Sequence, residues 1–510
     1  MATTEDASTI SIPVAEYEKL LASITNLKRD NLKLSDELAA LIKKLFGKSS
    51  ERLDPDQLAL FAGALDAAKE EVEKTKAKPR GKRSPRKGHG RPHFPEHLPR
   101  EVIELDVPES ERSCSDCGQE MTSFGEEVTE RGHIVPAKLI VKRYVRKKYS
   151  CCNACSVKTP TLPGSLLDKG KYEPSVYAYL ATAKYGDHIP LHRLSGIFKR
   201  HGMKLPTSTM WDLLSQLDGV VAQPILDQMR SELLTSRYIN ADETPVTVRL
   251  EQGRGSRKGY IWTYLWKKKV LFDFTMTRQR DGPRTFLGAW KGTFQIDGFS
   301  GYDEVSRTNK LVRAGCWSHA RRKVLQAVER GNKAALPLLL LINRLFRIDR
   351  ALRARRDRLE LTESAYLELR SAVRSRRSQH VLNQIQESVN ELWNQRSTLP
   401  KSALGKALTY LENQREPLAV CVADAELELH NNDAERALRH VVIGRKNWMV
   451  FGSQRGGEVG ARLFSLIASC KALGINPEAY LVDVIKAIDT TPASQIASLT
   501  PWAWAERQES

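Results

Sequence analysis

Residues 238–245 read Tyr238-Ile-Asn-Ala-Asp242-Glu-Thr-Pro245, an apolar run that closes on an acidic residue and then on a turn-favouring proline. A strand of this kind delivers a carboxylate to the rim of a sheet. The pattern returns in Gly292-Thr-Phe-Gln-Ile-Asp297-Gly-Phe-Ser-Gly301, another strand-like run that ends in Asp and passes into glycine-bearing loop chemistry. Between the two, Tyr260–Trp266 and Val270–Met276 carry strand character, with a Gly- and Arg-rich turn before the first. Pro283–Trp290 suits a short helix. Downstream, after a helical turn near Asp303, Leu311–Cys316 reads as a fifth strand that runs into a basic helix, His319–Arg330.

Three strands, a helix, a strand, a short helix and a strand is the element order of a ribonuclease-H-like domain, in which acids at the ends of the first and fourth strands lie side by side. Two adjacent aspartates repel unless a cation sits between them. A pair of divalent ions about 3.5–4 Å apart activates an attacking oxygen and stabilises a leaving one in phosphoryl displacement, and hard oxygen ligands select Mg²⁺ or Mn²⁺. The chemistry asks for a third carboxylate from a later helix. His430-Asn-Asn-Asp-Ala-Glu435-Arg-Ala-Leu-Arg439 supplies it as Glu435. The structural alternatives are a capping box over Asn432–Glu435 and strand-end turn roles for Asp242 and Asp297. Glu243, Asp273, Asp303 and Asp433 stand as replacements. Arg436, Arg439, Arg445 and Lys446 near Glu435, and His319, Arg321 and Arg322 on the basic helix, are phosphate-binding candidates.

Between Asp297 and Glu435 the sequence from Ala334 to Val422 is helical and rich in Arg, as in RLFRIDRALRARRDR (344–358). From charge alone this is either a DNA-facing basic helix or a solvated face. Upstream, Leu191–His201 and Ser208–Asp218 form a helix-turn-helix pattern around Gly202–Pro206, with Thr207 placed as a cap and Lys199, Arg200 and Lys204 as DNA contacts. Cys114-Ser-Asp-Cys117-Gly and Cys152-Asn-Ala-Cys155 are two C-x-x-C knuckles, the four thiolates of a closed structural zinc site. Cys151 beside Cys152 leaves the third ligand ambiguous. Lys74–Arg91 holds nine basic residues and no acidic one, among them Lys82, Arg83, Arg86, Lys87 and Arg91. Such a stretch either is a solvated linker or lies along phosphates.

The N-terminal part carries a heptad from Tyr17 to Leu45. Leu20, Leu27, Leu34 and Leu41 take the d positions; Tyr17, Ile24, Asn31, Leu38 and Leu45 take the a positions. Leucine at each d with one Asn at a fits a parallel dimeric zipper. The net charge of +19 points to a polyanionic partner. No signal peptide opens the chain and no apolar run is long enough to span a bilayer, so a cytoplasmic, nucleoid-associated protein is expected.

These motifs resemble the large transposase of the bacterial insertion sequence sixty-six family. The resemblance is carried by HLPREV (97–102), the CSDCG knuckle, KYGDHIPLHR (184–193), ADETP (241–245), QIDGFSGYD (295–303), GCWSHARRK (315–323), NNDAERALR (431–439) and GRKNW (444–448). It implies a DDE-type enzyme with Asp242, Asp297 and Glu435 as catalytic positions, and a mobile element with inverted repeats and accessory proteins. The chain departs from the family pattern at His430, where Asp is usual, and at His440, where Pro is usual.

The expected architecture is multidomain α+β. It comprises a coiled coil (1–52), a basic linker (53–100), a zinc-binding β domain (101–162) and a helix-turn-helix-like region (163–236). The ribonuclease-H-like domain comes next, in two parts (237–333 and 423–456) around an all-helical insertion (334–422), and a helical region (457–510) ends the chain. Double-stranded DNA, in the form of element ends and target, is the expected partner, bound by a homodimer or a larger synaptic assembly. The rival readings are a DNA-binding regulator whose nuclease fold is inert, and a nuclease without strand transfer.

Overall fold

A computed structural model describes residues 100–103, 119, 138–150, 157–160, 166, 170–250, 255–395 and 398–509. The zipper, the basic linker and the cysteines expected to bind zinc lie outside these residues. The chain divides into two units, Met1–Ile140 and Val141–Ser510. The second unit begins with a short antiparallel pair, Tyr149–Ser150 with Val157–Lys158.

Among the described residues, four α-helices precede the main sheet of this unit: α1 (Pro174–Ala181), α2 (Leu191–Arg200), α3 (Thr207–Leu217) and α4 (Gln223–Leu233). Helices α2 and α3 stand where the helix-turn-helix pattern put them. Thr207 is the first helical residue of α3, however, and not its cap; Pro206 takes the cap position and no side chain caps the end. The reason is local: Pro206 is extended through its ψ of 152° while its carbonyl already accepts the first helical bond, from Met210 N, so the helix starts directly behind it.

The sheet has six strands: β1 (Tyr238–Arg249), β2 (Ser256–Trp266), β3 (Lys269–Thr275), β4 (Thr293–Gln295), β5 (Val312–Ala314) and β6 (Val450–Phe451). Its order is β3-β2-β1-β4-β5, antiparallel across β3-β2-β1 and parallel across β1-β4-β5, with β6 parallel to β1. Helices α5 (Asp281–Leu287), α6 (Asp303–Thr308) and α7 (Trp317–Glu329) connect and follow the later strands. Trp262 and Tyr264 on β2 are fully buried, and Tyr264 stacks on Phe286 with ring centroids 3.7 Å apart. The sequence pattern ended the first strand at Asp242, but β1 is twelve residues long and Asp242 lies inside it. Proline is tolerated within it because β1 lacks a second strand neighbour from Ala241 to Val246, between its pairs with β4 and β6.

After α7 come five helices: α8 (Ala335–Leu359), α9 (Glu363–Val373), α10 (Gln379–Asn394), α11 (Ala403–Asn413) and α12 (Arg415–Ala423). In α8 the buried stripe is Leu338, Ile342, Leu345, Asp349 and Leu352, so an aspartate stands in an apolar seam. Helix α13 (Asn432–Trp448) returns the chain to the sheet, and α14 (Gln454–Leu473), α15 (Pro477–Ala487) and α16 (Pro501–Glu509) complete it.

Helix α14 covers the open edge of β3. Ser465 Oγ accepts from Phe272 N at 2.7 Å, and Ser469 Oγ accepts from Val270 N at 3.1 Å and donates to Val270 O at 2.9 Å. Four helical residues rise about 6 Å and two strand residues span roughly 6.6 Å, which is why hydroxyls at that spacing match alternate strand residues. An edge that would invite pairing with another chain is closed in this way. Among the described residues no helix is long and apolar enough to cross a membrane.

Candidate active site

Strand register brings two of the three acids together. Asn240 on β1 is aligned with Gln295 on the parallel strand β4. Asp242 and Asp297 each lie two residues beyond that pair, on neighbouring chain segments. Asp242 is half-buried and its Oδ1 accepts from the amide of Glu243 at 2.9 Å. Asp297 turns back onto its own loop, accepting from Phe299 N at 2.9 Å.

A buried polar network brings the third acid. Asn240 Nδ2 donates to Gln295 Oε1 at 2.7 Å and to Asn431 Oδ1 at 3.0 Å. Asn431 Nδ2 donates to Ala241 O at 2.7 Å, filling part of the unpaired edge of β1. Arg445, at the far end of α13, donates to Thr244 Oγ1 and Pro245 O on that strand. Helix α13 thus takes the place of a strand beside Asp242, and Glu435 sits one turn beyond Asn431. The capping-box alternative is not formed. Asn431 is the cap, no side chain caps the helix, and Glu435 Oε1 is buried without a hydrogen-bond partner.

Electrostatics link Asp242 to the other two acids. Burial, then Glu243, Asp297 and Glu435, push the Asp242 carboxyl up to about 7. Among the described residues, none of Asp242, Asp297 and Glu435 pairs with Lys or Arg; Glu435 Oε1 has only His319 Nδ1, 3.8 Å away. Burial, followed by Arg322, pushes the His319 imidazole down.

Three of the replacement acids are already engaged. Glu243 accepts from Tyr302 Oη at 2.6 Å and from Arg278 Nη2 at 2.5 Å, and the Arg278 guanidinium lies 3.7 Å over the Phe299 ring. Asp303 pairs with Arg313 at 2.6 Å and Asp433 with Arg436 at 3.3 Å. Asp273 stands on β3, aligned with Trp262, and burial raises its carboxyl to about 6.

Glu435 opens onto a cleft of about 480 Å³ lined by Ser318, Arg321, Arg322 and Leu325 from α7 and by Asn432, Glu435, Arg436 and Arg439 from α13. Among the described residues Arg322 and Arg439 are exposed and make no ion pair, whereas Arg321 donates to Asn343 Oδ1 at 2.7 Å. Lys446 is exposed near the end of α13. Lys199, Arg200 and Lys204 are exposed at α2 and the turn after it. Among the described residues no group of three or more His, Cys, Asp or Glu side chains is drawn in closely enough to hold a metal ion.

Sequence reading did not find Asn240, Gln295 or Asn431 as a unit, nor Arg278 and Tyr302. Asn431 stood in a quoted motif, but only the fold reveals that it faces β1.

A family model described as the Transposase IS66 family matches residues 169–459. Others match residues 33–103 (Transposase C of IS166 homeodomain), 111–155 (zinc-finger binding domain of transposase IS66) and 465–502 (IS66 C-terminal element). Curated relatives from Sinorhizobium fredii include the uncharacterized protein y4jD, 30% identical over 96% of this chain and 98% of its own length. The uncharacterized protein y4qI is 28% identical over 97% of this chain and 93% of its own length.

Proposed function

The chain belongs to the IS66 transposase family, and from that premise we propose that it cuts the ends of a bacterial insertion sequence and joins the 3′-hydroxyl ends to target DNA. Asp242, Asp297 and Glu435 are the catalytic carboxylates of this reading. One observation carries it: these three acids, from β1, the exit of β4 and α13, lack a Lys or Arg partner among the described residues, while Asp242 feels the other two. The sheet order, with Asp242 and Asp297 on neighbouring parallel segments, supports a ribonuclease-H-like domain interrupted by the α8–α12 insertion.

The chemistry of the donor set, rather than its spacing in this structure, suits a hard divalent cation. It is all oxygen, Asp242 is raised by burial and by acids that a cation would offset, and Glu435 Oε1 is buried without a partner. Asp242, Asp297 and Glu435 would hold Mg²⁺ or Mn²⁺, which would supply activation of the attacking oxygen and stabilisation of the leaving one. The protein's own part is to hold the phosphodiester in line. Arg322, Arg436 and Arg439 line the cleft beside Glu435 and clamp phosphates, and His319 adds a phosphate contact.

The remaining assignments belong to the same reading. Cys114, Cys117, Cys152 and Cys155 hold a structural zinc ion, the zipper through Leu20, Leu27, Asn31, Leu34, Leu38 and Leu41 dimerises the chain, and the basic linker and the helix-turn-helix region add DNA contacts. The domain boundaries, the synaptic assembly, the accessory proteins and the nucleoid location follow from it.

The test is strand cleavage and joining on labelled element-end DNA with Mg²⁺ or Mn²⁺. Wild type gives joined products; Asp297→Asn binds the DNA and loses activity by on the order of a thousandfold, as removal of several kcal/mol of transition-state stabilisation requires. Equal activity in both sinks the three-carboxylate assignment. Binding without cleavage, even with cell extract added, favours a regulator, and cleavage without joined products a simple nuclease.

A further inference from the structure

Glu435 reaches the sheet at the end of a long detour, and the structure contains a device that fixes where that detour ends. Helix α12 closes with carbonyls that have no helical partners, and the chain then runs from Asp424 to Asn431 without regular structure before α13 begins. Backbone of this kind is held only by what it bonds to.

It bonds to a buried arginine. The Arg374 side chain is 1% exposed. Its Nη1 donates to the carbonyls of Cys421 at 2.9 Å, Asp424 at 2.7 Å and Leu427 at 2.9 Å. Its Nε and Nη2 grip both oxygens of Asp349 at 3.0 and 2.6 Å. Arg370 repeats the pattern, with Nη1 on Ala425 O at 3.0 Å and Nη2 on Asp349 at 2.8 Å and Glu428 at 3.0 Å. The far side of the segment is tied to β4 and to the start of α7: Glu428 O accepts from Gln295 Nε2, and Leu429 O from the amide of Trp317.

We propose that the helical insertion positions the third carboxylate: Arg374, oriented by Asp349 and assisted by Arg370, sets the path of Cys421–Glu428 and so the place at which Asn431 docks and Glu435 enters the site. The inference rests on Asp242, Asp297 and Glu435 forming the active site. Apolar residues of similar volume hold helices together as well as a buried ion cluster does, or better, so cohesion alone does not account for charges in the seam. A planar guanidinium has five donors in fixed directions; an apolar side chain sets no such path for a backbone. Arg374, Arg370 and Asp349 are positioning residues, acting through Glu435.

The experiment is calorimetric titration of the full chain with Mn²⁺, in wild type, Arg374→Lys, Glu435→Gln and the double variant, with melting temperature as the check on folding. Arg374→Lys keeps the charge and loses the fork. It is expected to fold and to weaken Mn²⁺ binding about tenfold or more, the range for groups that hold a metal ligand in place. In the Glu435→Gln background the same change is expected to add nothing. Wild-type Mn²⁺ affinity in a folded Arg374→Lys protein overturns the proposal, and so does a double variant weaker than Glu435→Gln alone. If Arg374→Lys does not fold, Arg370→Lys, which leaves the Arg374–Asp349 pair in place, is read by the same criteria. If Glu435→Gln itself leaves Mn²⁺ binding unchanged, the active-site reading fails and takes this inference with it.

Discussion

Two interior aspartates, one in the sheet and one in the insertion, sit in opposite environments. Asp349 in α8 is gripped by Arg370 and Arg374, and despite its burial these cations hold its carboxyl below the ordinary range. Asp242 in β1 is surrounded by other acids, and burial together with those acids raises it to about 7. The paired charge orders the structure. The unpaired charge is a cost that an incoming cation would offset, as the proposed function requires. Both environments follow from how each region closes its core: the sheet with aromatics such as Trp262 and Tyr264, the insertion with ions in an apolar seam.

Asp349→Asn should separate the two most. Removing one partner of a buried cluster costs roughly 3–5 kcal/mol, because it strands the arginines. The pH dependence has a definite sign. A carboxyl depressed in the folded state contributes stability that is full above the ordinary carboxylate range and is lost as pH falls through it. The gap in denaturant stability between wild type and Asp349→Asn should therefore be widest near neutrality and narrow below about pH 4. A gap that does not change with pH would mean that the charge is not what matters there.

Asp242→Asn should act in the reverse direction. A carboxyl raised by folding keeps its proton while the unfolded chain releases it, so wild-type stability falls as pH rises from the ordinary carboxylate range to about 7. Without added divalent metal the Asn variant should melt higher above neutral pH, by on the order of 1 °C for each kcal/mol recovered in a chain of this length, and the same as wild type near pH 4. It should also be inactive. A variant that melts lower throughout would place Asp242 with Asp349, among the structural charges.

The strand acids were legible in the sequence because a strand exposes its logic locally: an apolar run, an acid, a turn residue. Even so, the length of β1 was not, since Pro245 suggested an end where the fold only lacks a second neighbour. Glu435 was legible as a motif but not as geometry, for what brings it in is Asn431 bonding to a strand far away in sequence. The insertion was least legible. Its arginines looked alike from composition, whereas Arg374 is buried against backbone and Arg322, outside the insertion, is exposed. Helical spacing places Asp349 in the apolar stripe of α8, and that was the available signal.

The smallest effect sharpens the comparison at the level of single arginines. Arg439 is exposed, lines the cleft beside Glu435 and has no ion pair among the described residues. Arg353, on α8, pairs with Glu428 at 2.8 Å with its side chain 35% exposed. If unpaired cations face DNA and paired ones order the protein, the two should fail in different assays. Arg439→Gln should leave melting within roughly 0.5 kcal/mol of wild type, as surface substitutions do. It should weaken DNA binding and lower the slope of log affinity against log salt by about 1, because one phosphate is no longer neutralised. Arg353→Gln should leave that slope unchanged while lowering stability slightly, by about 0.2–1 kcal/mol for a pair this exposed. Binding isotherms across a salt series decide it. Equal slope changes in both variants would turn the arginines of the insertion outward to DNA, and the division between ordering and binding charges would fail at α8.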